Sequence, residues 1–393
     1  MATRQAAGPA TSSERHRLVD ALRGFALWGI LVVNIEFIVQ SPDTGWADFT
    51  SGADIAGRWL IATVAQLKFY LLFSFLFGYG LSVQLRRAAE RGGNLRPRYF
   101  RRMVGLLILG VLHGILFFPG DILFIYGVVG AIAFSMRRWS DRRLLQWAVG
   151  VYAAATVVWL ALAGLTALEG DPGTTMTSPE QITAFTSGSF LDVVQQHAAD
   201  WPETLVALAA IQGPAAFSLF IVGVVVGRGD LLSRPENHTR SLRRVLMIWG
   251  PIGLAGSALA ASLQVANSEE STLGVLSFAL QYGFAPTLAA AMVAALALGL
   301  GSRPPRWSRI LESAGRMSLS VYLLESVVAT TLAYGYGFGL FGEVAPWGGI
   351  GLSIAIWLGL SLFAMAWMAW ARFGPFEWVL RSWTYLRLQP LRQ

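Results

Sequence analysis

Long apolar runs alternate with short polar segments along nearly the whole chain. A helix needs about 20 apolar residues to cross the hydrocarbon core of a bilayer, and ten runs approach that length. The predicted spans are 20–40, 59–85, 103–118, 122–136, 144–168, 204–227, 245–265, 272–300, 317–336 and 347–371. The pattern therefore predicts an all-α, polytopic transmembrane bundle of about ten spans, with the third and fourth joined as a tight hairpin.

The basic residues fall on one side of this predicted bundle. Of the 30 lysines and arginines, 27 lie in the N-terminal tail, in alternate loops and in the C-terminal tail. The opposite loops carry one basic residue, Arg58. Because loops rich in Lys and Arg remain in the cytoplasm, the sequence predicts that both termini are cytoplasmic. It also predicts a multi-pass protein of the plasma membrane, which in a bacterium is the inner membrane.

The spans leave no room for a separate soluble domain. Residues 1–17 are small and polar, which predicts a disordered cytoplasmic tail. Residues 18–372 are predicted to form a single transmembrane bundle, and residues 373–393 a basic cytoplasmic tail. The longest segment on the opposite side, 169–203, is extracytoplasmic in this topology. Its stretch 190–198 has one apolar helical face, typical of either a helix on the membrane surface or a lid.

Composition supports a membrane protein and excludes several kinds of site. In 393 residues, 54% are hydrophobic and 13% are charged, against ~25% charged residues in soluble domains. Cysteine is absent, which excludes thiolate nucleophiles and Cys-ligated metals. No metal-ligand spacing or nucleotide-binding loop is present, so no metal is predicted. The formal charge of +7 does not indicate nucleic acid, because the arginines lie between apolar runs.

Ionisable residues at membrane depth are few, and each costs ~2.5–3.5 kcal/mol or more. Asp20 and Arg23 share a helix face, so they form either an ion pair or, through Arg23, a phosphate contact. Lys68 either snorkels to the surface or pairs with Glu36 or Asp121. Glu325 needs a partner, for which Lys68 and Gln281 are candidates, or it belongs to a proton path.

His113 is the only histidine inside a predicted span, and Asp121 follows it across the turn at Pro119 and Gly120. So short a turn would bring the two side chains within reach. A carboxylate-oriented imidazole is the arrangement that general-base catalysis requires near neutral pH. Two structural interpretations stay open, since Asp is a preferred N-cap and a buried His can bond a backbone carbonyl.

Four stretches resemble the YeiB-like membrane proteins. They are RLVDALRGFALWGILVVNI at 17–35, FSFLFGYG at 73–80, HGILFFPGDIL at 113–123 and GRMSLSVYL at 315–323. The chain is more distantly similar to the transmembrane acyltransferases, namely the acyltransferase-3 proteins and heparan-α-glucosaminide N-acetyltransferase. The 318–322 motif and Arg23, followed by a polar residue eleven positions on, carry this second resemblance. Acyltransferase-3 proteins have a functional His where this chain has Asn34, and often one where it has Glu325.

The resemblance implies a membrane-embedded acyltransferase that moves an acyl group from acyl-CoA, such as acetyl-CoA, to a hydroxyl or amine of a small molecule or glycan. His113 and Asp121 would act as the base, with Lys68 or Asn34 stabilising the oxyanion. The remaining predicted substrate and cofactor residues are Arg23, Arg101, Arg102, Arg316, Glu36, Glu325 and Tyr322.

Two other functions stay open at the sequence level. The charges at several depths are also typical of a proton-coupled transporter or exporter of a small anionic or amphiphilic solute. A structural membrane subunit is the third alternative. The expected partners are the lipid bilayer and the acceptor, with no nucleic acid, and a homodimer is left open.

Overall fold

The chain folds into helices wherever its apolar runs predict them. The computed structural model describes residues 17–40, 49–90, 93–169, 179–301 and 305–392. Within these ranges the regular structure is helical, apart from an isolated bridge between Ala371 and Arg392. The predicted N-terminal tail lies outside the described residues except for Arg17, which begins the first helix.

Fifteen α-helices make up the described part of the chain. They are α1 (Arg17–Val39), α2 (Gly52–Val64), α3 (Lys68–Glu90), α4 (Arg96–Leu116), α5 (Leu123–Ser135), α6 (Asp141–Glu169), α7 (Pro179–Ser187), α8 (Phe190–Ile211), α9 (Gly213–Val226), α10 (Thr239–Ala266), α11 (Thr272–Leu300), α12 (Arg309–Arg316), α13 (Ser318–Ala333), α14 (Pro346–Trp367) and α15 (Pro375–Tyr385). Each of the ten predicted spans coincides with one of these helices or with an adjacent pair.

Seven of the described helical stretches are long and apolar enough to cross a bilayer. They are α1, the consecutive α2 and α3, α4, α6, α10, α11 and α14. The pair α8 and α9, bent by 51° at its break, passes the same test and would make an eighth. Helices α5 and α13 are apolar but shorter. The chain is thus a polytopic helical membrane protein, as predicted, while ten spans and cytoplasmic termini stay predictions.

Glycines let four of these helices approach to backbone contact. A Cβ on Gly24 of α1 would overlap a backbone carbonyl of α12, and a Cβ on Gly315 of α12 would overlap a backbone carbonyl of α1. Helices α3 and α9 cross in the same reciprocal way through Gly78 and Gly223. Small residues at such crossings are typical of helix packing in membranes. The two crossings fix the positions of α1, α3 and α12, which carry residues of the candidate site.

The segment predicted as extracytoplasmic forms a helical cover over part of the bundle. Residues 170–178 lie outside the described residues, and α7 and α8 follow them. The predicted helix at 190–198 is the first part of α8, which continues to Ile211. Val193 and His197 are buried on its inner face. The backbone N–H of Gly335 donates to the carbonyl of Phe185 over 2.9 Å, which ties α7 to the loop after α13.

The C-terminal segment, predicted as a basic tail, contains a docked helix. α15 packs against α4. The indole N–H of Trp383 donates to the carbonyl of Arg101, and Nε of Arg101 donates to the carbonyl of Thr384, both over 2.8 Å. This reciprocal pair holds α15 beside the basic end of α4.

Candidate functional site

His113 lies in the last turn of α4, and the turn at Pro119 and Gly120 returns the chain so that Asp121 faces it. The Nδ1 atom of His113 lies 2.9 Å from Oδ1 of Asp121. Both side chains are buried, with 3% and 1% of their surface exposed. Gly110, one turn earlier on α4, permits this approach, because a Cβ there would lie 2.7 Å from Oδ2 of Asp121.

Asp121 accepts two further hydrogen bonds that fix its orientation. The backbone N–H of Phe124 donates to Oδ2 over 3.0 Å, which caps the start of α5. The hydroxyl of Tyr322, from α13, donates to Oδ1 over 3.3 Å. With Asp121 ionised, its oxygens only accept, so the proton of a neutral His113 ring lies on Nδ1. The lone pair then lies on Nε2, the nitrogen that a general base uses.

The Nε2 atom of His113 is buried and has no hydrogen-bond partner among the described residues. The ring of Tyr322 lies 5.1 Å from the imidazole, centroid to centroid. On the side of α8, the indole of Trp201 fills the space that a Cβ on Gly114 would take. His197 of α8 hydrogen-bonds to the carbonyl of Ile115. Nδ1 of His197 is likewise buried without a described partner, so what distinguishes His113 is the carboxylate on its other ring nitrogen.

A cavity of about 390 Å³ lies at the basic end of the bundle. Its inner end is formed by Ile122, Leu123 and Tyr322, directly beside the His113–Asp121 pair. Seven arginines line it, together with Asp20 and Glu377. The arginines are Arg23, Arg87, Arg98, Arg102, Arg316, Arg372 and Arg381. The cavity thus has many positive charges together with apolar and tyrosine side chains. Such a lining fits a ligand that has an anionic group and an apolar extension.

Three of the four arginines predicted to bind a cofactor line this cavity, and the fourth does not. Arg102 also places its guanidinium 5.1 Å from the ring centroid of Phe77. Arg23 forms the predicted ion pair with Asp20 over 3.2 Å and also lines the cavity, while its contact with a phosphate stays a prediction. Arg101 instead holds α15 and is absent from the lining.

Four of the lining arginines were not singled out from the sequence, namely Arg87, Arg98, Arg372 and Arg381. Their only sequence signal is membership of the basic loops and the basic C-terminal segment. That signal predicts the side of the membrane but not which arginines face the cavity, since this depends on how the helices pack and, for Arg381, on how α15 docks.

Glu377 of α15 was also missed, and it caps the first turn of α13. Its Oε1 accepts the backbone N–H groups of Leu319, over 2.7 Å, and Ser320, over 3.2 Å. The hydroxyl of Ser320 donates to Oε2 over 2.5 Å. A carboxylate at a helix N-terminus is stabilised by the free N–H groups and the helix dipole. Glu377 therefore fixes the helix that carries Tyr322.

Lys68 lies apart from the histidine, at the break between α2 and α3. Its ammonium group donates to the carbonyl of Ala62 over 2.9 Å and to Oε1 of Gln281 over 2.6 Å. The side chain is fully buried. The expectations of snorkelling or of pairing with Glu36 or Asp121 are therefore wrong, because an amide and a carbonyl satisfy the lysine inside the protein.

None of the three remaining predicted residues, Asn34, Glu36 and Glu325, lines the arginine cavity. Glu325 is buried in α13, and its Oε1 has no described partner. Its expected pairing with Lys68 or Gln281 is wrong, because those two bond to each other. Asn34 and Glu36 lie half-buried on the second half of α1.

Comparison with known proteins identifies relatives over the whole length. A family model described as a protein of unknown function (DUF418) matches residues 226–387, which include α13 and α15. The YxaH protein of Bacillus subtilis (strain 168), described as uncharacterized, is 30% identical over 409 residues, covering 98% of this chain and 97% of the relative. The similarly described YeiB of Escherichia coli (strain K12) is 28% identical over 384 residues, covering 94% and 96%.

A third relative, from Bacillus acidopullulyticus, is described as an uncharacterized 39.9 kDa protein in the amylase 3′ region. It is 27% identical over 396 residues, covering 98% of this chain and 97% of the relative. The names of these relatives state no activity. Because identity of this level extends over nearly all of both chains, the protein belongs to the YeiB-like family of DUF418 membrane proteins.

Proposed function

We propose that this protein is a membrane-embedded acyltransferase that uses acyl-CoA and His113 as general base. The observation that carries the proposal is the 2.9 Å contact between His113 Nδ1 and Asp121 Oδ1. It orients the ring and leaves a buried Nε2 without a described partner. In the proposed orientation the basic end faces the cytoplasm, across the plasma membrane from α7 and α8.

The arginine-lined cavity supports binding of an acyl-CoA donor from the basic end. Phosphate groups would lie among the arginines, since a guanidinium binds phosphate through a fork of two N–H donors. The acyl chain would extend toward Tyr322 and Ile122, at the apolar inner end. Both residues line the cavity and His113 does not, so transfer would require the acyl group to pass them.

The reaction would proceed by direct attack of the acceptor on the thioester. Nε2 of His113 takes the proton of the acceptor hydroxyl or amine while the acceptor atom forms a bond to the thioester carbonyl carbon. The carbon–sulfur bond then breaks, and the departing CoA thiolate takes the proton from the imidazolium. Asp121 stabilises that imidazolium and holds the ring's orientation. Lys68 has no part in this scheme, because its hydrogen bonds lie at the α2–α3 break.

The test is turnover of radiolabelled acetyl-CoA by the purified full-length protein in nanodiscs, with a panel of sugar, glycan and amine acceptors. His113→Ala should lower turnover by about 10²–10⁴-fold, while binding of acetyl-CoA by calorimetry stays unchanged. His238→Ala is the matched control, because His238 pairs with Asp230 in a loop outside the cavity. Unchanged turnover in His113→Ala would refute the residue assignment, and absence of acetyl-CoA binding would refute the donor.

Transport of a small anionic or amphiphilic solute is the second candidate, and Glu325 favours it. A buried carboxyl with an unpartnered oxygen inside a bundle is typical of proton paths, and broken spans are typical of transporters. Here α2–α3 and α8–α9 are both interrupted. Flux of a candidate solute into proteoliposomes without acyl-CoA, abolished by Glu325→Gln, would support transport. Acetyl transfer that survives Glu325→Gln would separate the two functions.

A further inference from the structure

A groove runs along the surface of α6 at the basic end of the bundle. Of the seven helical stretches long enough to cross a bilayer, α6 has the smallest buried share. Its packed side carries Tyr152 and Trp159, whose rings contact Tyr282 and Phe278 of α11. The groove has a volume of about 690 Å³, and its lining is Ser140, Arg142, Arg143, Gln146, Trp147, Gly150, Val151 and Ala154.

Two arginines form the polar end of this groove. Arg142 and Arg143 are both exposed, and within the described ranges no carboxylate lies at ion-pair distance from either. Between residues 122 and 168 the sequence has one carboxylate, that of Asp141, and it pairs with Arg228 instead. The polar end of the groove therefore carries a positive charge that its own surroundings do not neutralise.

Arg143 is held in place without using the donors of its side chain. Its guanidinium lies over the ring of Trp139, 3.8 Å from the centroid, and that ring lies 6.0 Å from the ring of Trp147. Among the described residues, Arg143 donates a hydrogen bond through its backbone N–H alone, to the hydroxyl of Ser140. Stacking occupies the flat face of a guanidinium and leaves the N–H groups at its edge, which match the oxygens of a phosphate group.

The groove continues from the arginines toward the membrane interior over small residues. Gly150 and Ala154 lie about one turn apart, and both are exposed. A Cβ on Gly150 would meet nothing within 4 Å. Trp147 is half-exposed between the arginines and these residues, and tryptophan is enriched at the level of the lipid headgroups. The rise from Arg143 to Ala154 is about 16 Å, about half of the ~30 Å hydrocarbon core, so the apolar part follows one leaflet.

A positive end at headgroup level, followed by an apolar track through one leaflet, has the form of a phospholipid. We propose that this groove binds an anionic phospholipid, with its phosphate at Arg142 and Arg143 and an acyl chain over Gly150 and Ala154. In the proposed orientation the groove opens to the cytoplasmic leaflet, whose surface is negatively charged. The site is independent of His113 and of the proposed acyl transfer.

Charge argues against a second copy of this chain as the occupant. Two copies in one membrane that met through this face would be related by a two-fold axis along the membrane normal, so like positions would face each other. Arg142 and Arg143 of one copy would then lie against the same arginines of the other. An anionic headgroup neutralises these charges, whereas a second copy doubles them.

Native mass spectrometry of the full-length protein tests the proposal, with dioleoyl phosphatidylglycerol or dioleoyl phosphatidylcholine added to the detergent. The wild-type protein should retain phosphatidylglycerol preferentially. Arg142→Gln combined with Arg143→Gln should lower that affinity by about 10-fold or more and leave phosphatidylcholine binding unchanged. Arg240→Gln combined with Arg243→Gln removes the same charge from exposed positions at the basic end of α10, and phosphatidylglycerol affinity should stay at the wild-type value. Equal losses in the two double variants would overturn the proposal, because they would show a general attraction to the basic end.

Gly150→Leu tests the apolar part of the groove while keeping both arginines. It should lower phosphatidylglycerol affinity by about fivefold or more, because the acyl chain loses its contacts with α6 there. Gly164→Leu is the matched control, since a Cβ at that exposed position of the same helix also meets nothing within 4 Å. Unchanged affinity in Gly150→Leu would overturn the assigned groove. A lipid-independent dimer that is lost in Gly150→Leu would assign the groove to a second copy and would overturn the proposal as well.

Discussion

The hydroxyl of Tyr322 donates a hydrogen bond to Oδ1 of Asp121 over 3.3 Å, and the same side chain lines the arginine cavity. It accepts the backbone N–H of Ile122 as well, over 3.4 Å. Through this one phenol, the buried imidazole and the positively charged cavity are joined although α4 and α13 are far apart in sequence. A substitution that removes only the hydroxyl therefore tests whether the two parts work together.

Tyr322→Phe should reduce acetyl transfer by about 10-fold or more and leave acetyl-CoA affinity within about twofold. The variant keeps the ring in the cavity wall but removes one donor from Asp121, which weakens the orientation of His113. The change in stability should be about 1 kcal/mol. Steady-state kinetics and calorimetric binding on the same preparation check this. A loss of affinity with normal turnover would show that Tyr322 serves binding alone.

Asp121→Asn should lower turnover by about 10²–10⁴-fold, because the ring of His113 loses the carboxylate that orients it and stabilises its protonated form. The amide oxygen can still cap α5 at Phe124, so the protein should remain folded. Comparison with Asp121→Ala, which also loses the cap and should be less stable by about 0.5–2 kcal/mol, separates the two roles. Equal turnover in Asp121→Asn and wild type would contradict a catalytic pair.

Arg102→Gln should weaken acetyl-CoA binding by about 10-fold, since a charge-assisted hydrogen bond contributes about 1.5–3 kcal/mol. Arg240→Gln removes the same charge from an exposed position on α10, outside the cavity, and should leave binding unchanged. Calorimetry at two salt concentrations checks this, because the effect of Arg102 should shrink at high salt. Equal losses of acetyl-CoA affinity in Arg102→Gln and Arg240→Gln would indicate that acetyl-CoA is attracted non-specifically to the basic end of the bundle.

The parts of the molecule that were predictable depend on contacts that are local in sequence. The apolar runs define the helices, and the turn at Pro119 and Gly120 is so short that His113 and Asp121 had to lie near each other. Lys68 and Gln281 are 213 positions apart, so nothing in the local pattern indicates their contact. The role of Glu377 likewise depends on the docking of α15 against the bundle, and the hydropathy pattern does not predict that docking.

Glu377→Gln should become progressively more stable relative to the wild-type protein as pH rises from about 4 to 8. Burial raises the pKa of Glu377, and hydrogen bonds from Ser320 and neighbouring backbone groups oppose this only in part. A carboxyl with a raised pKa in the folded state contributes stability below its unfolded-state pKa of about 4.3. That contribution is lost as pH rises through the folded-state pKa.

Thermal unfolding of both proteins in the same detergent across this pH range measures the effect. The glutamine stays neutral, so the difference between the two melting temperatures isolates the ionisation of Glu377. Glu343→Gln, at an exposed position in the loop before α14, is the control. If instead the wild-type protein becomes more stable relative to Glu377→Gln as pH rises, the hydrogen bonds to the ionised carboxylate outweigh the effect of its burial.

Gly315→Ala should destabilise the protein by about 1–3 kcal/mol or more, because a Cβ at this position overlaps the carbonyl of Asp20 and would force α12 away from α1. The packed core relaxes only partly around added volume. Displacement of α12 also moves Arg316 and the start of α13, so acetyl-CoA binding should weaken together with stability.

Gly150→Ala on α6 is the matched control, since nothing lies within 4 Å of its added Cβ. That variant should match or exceed the wild-type melting temperature, because alanine has the higher helix propensity. Equal melting temperatures for the two variants would show that α1 and α12 do not cross at Gly315.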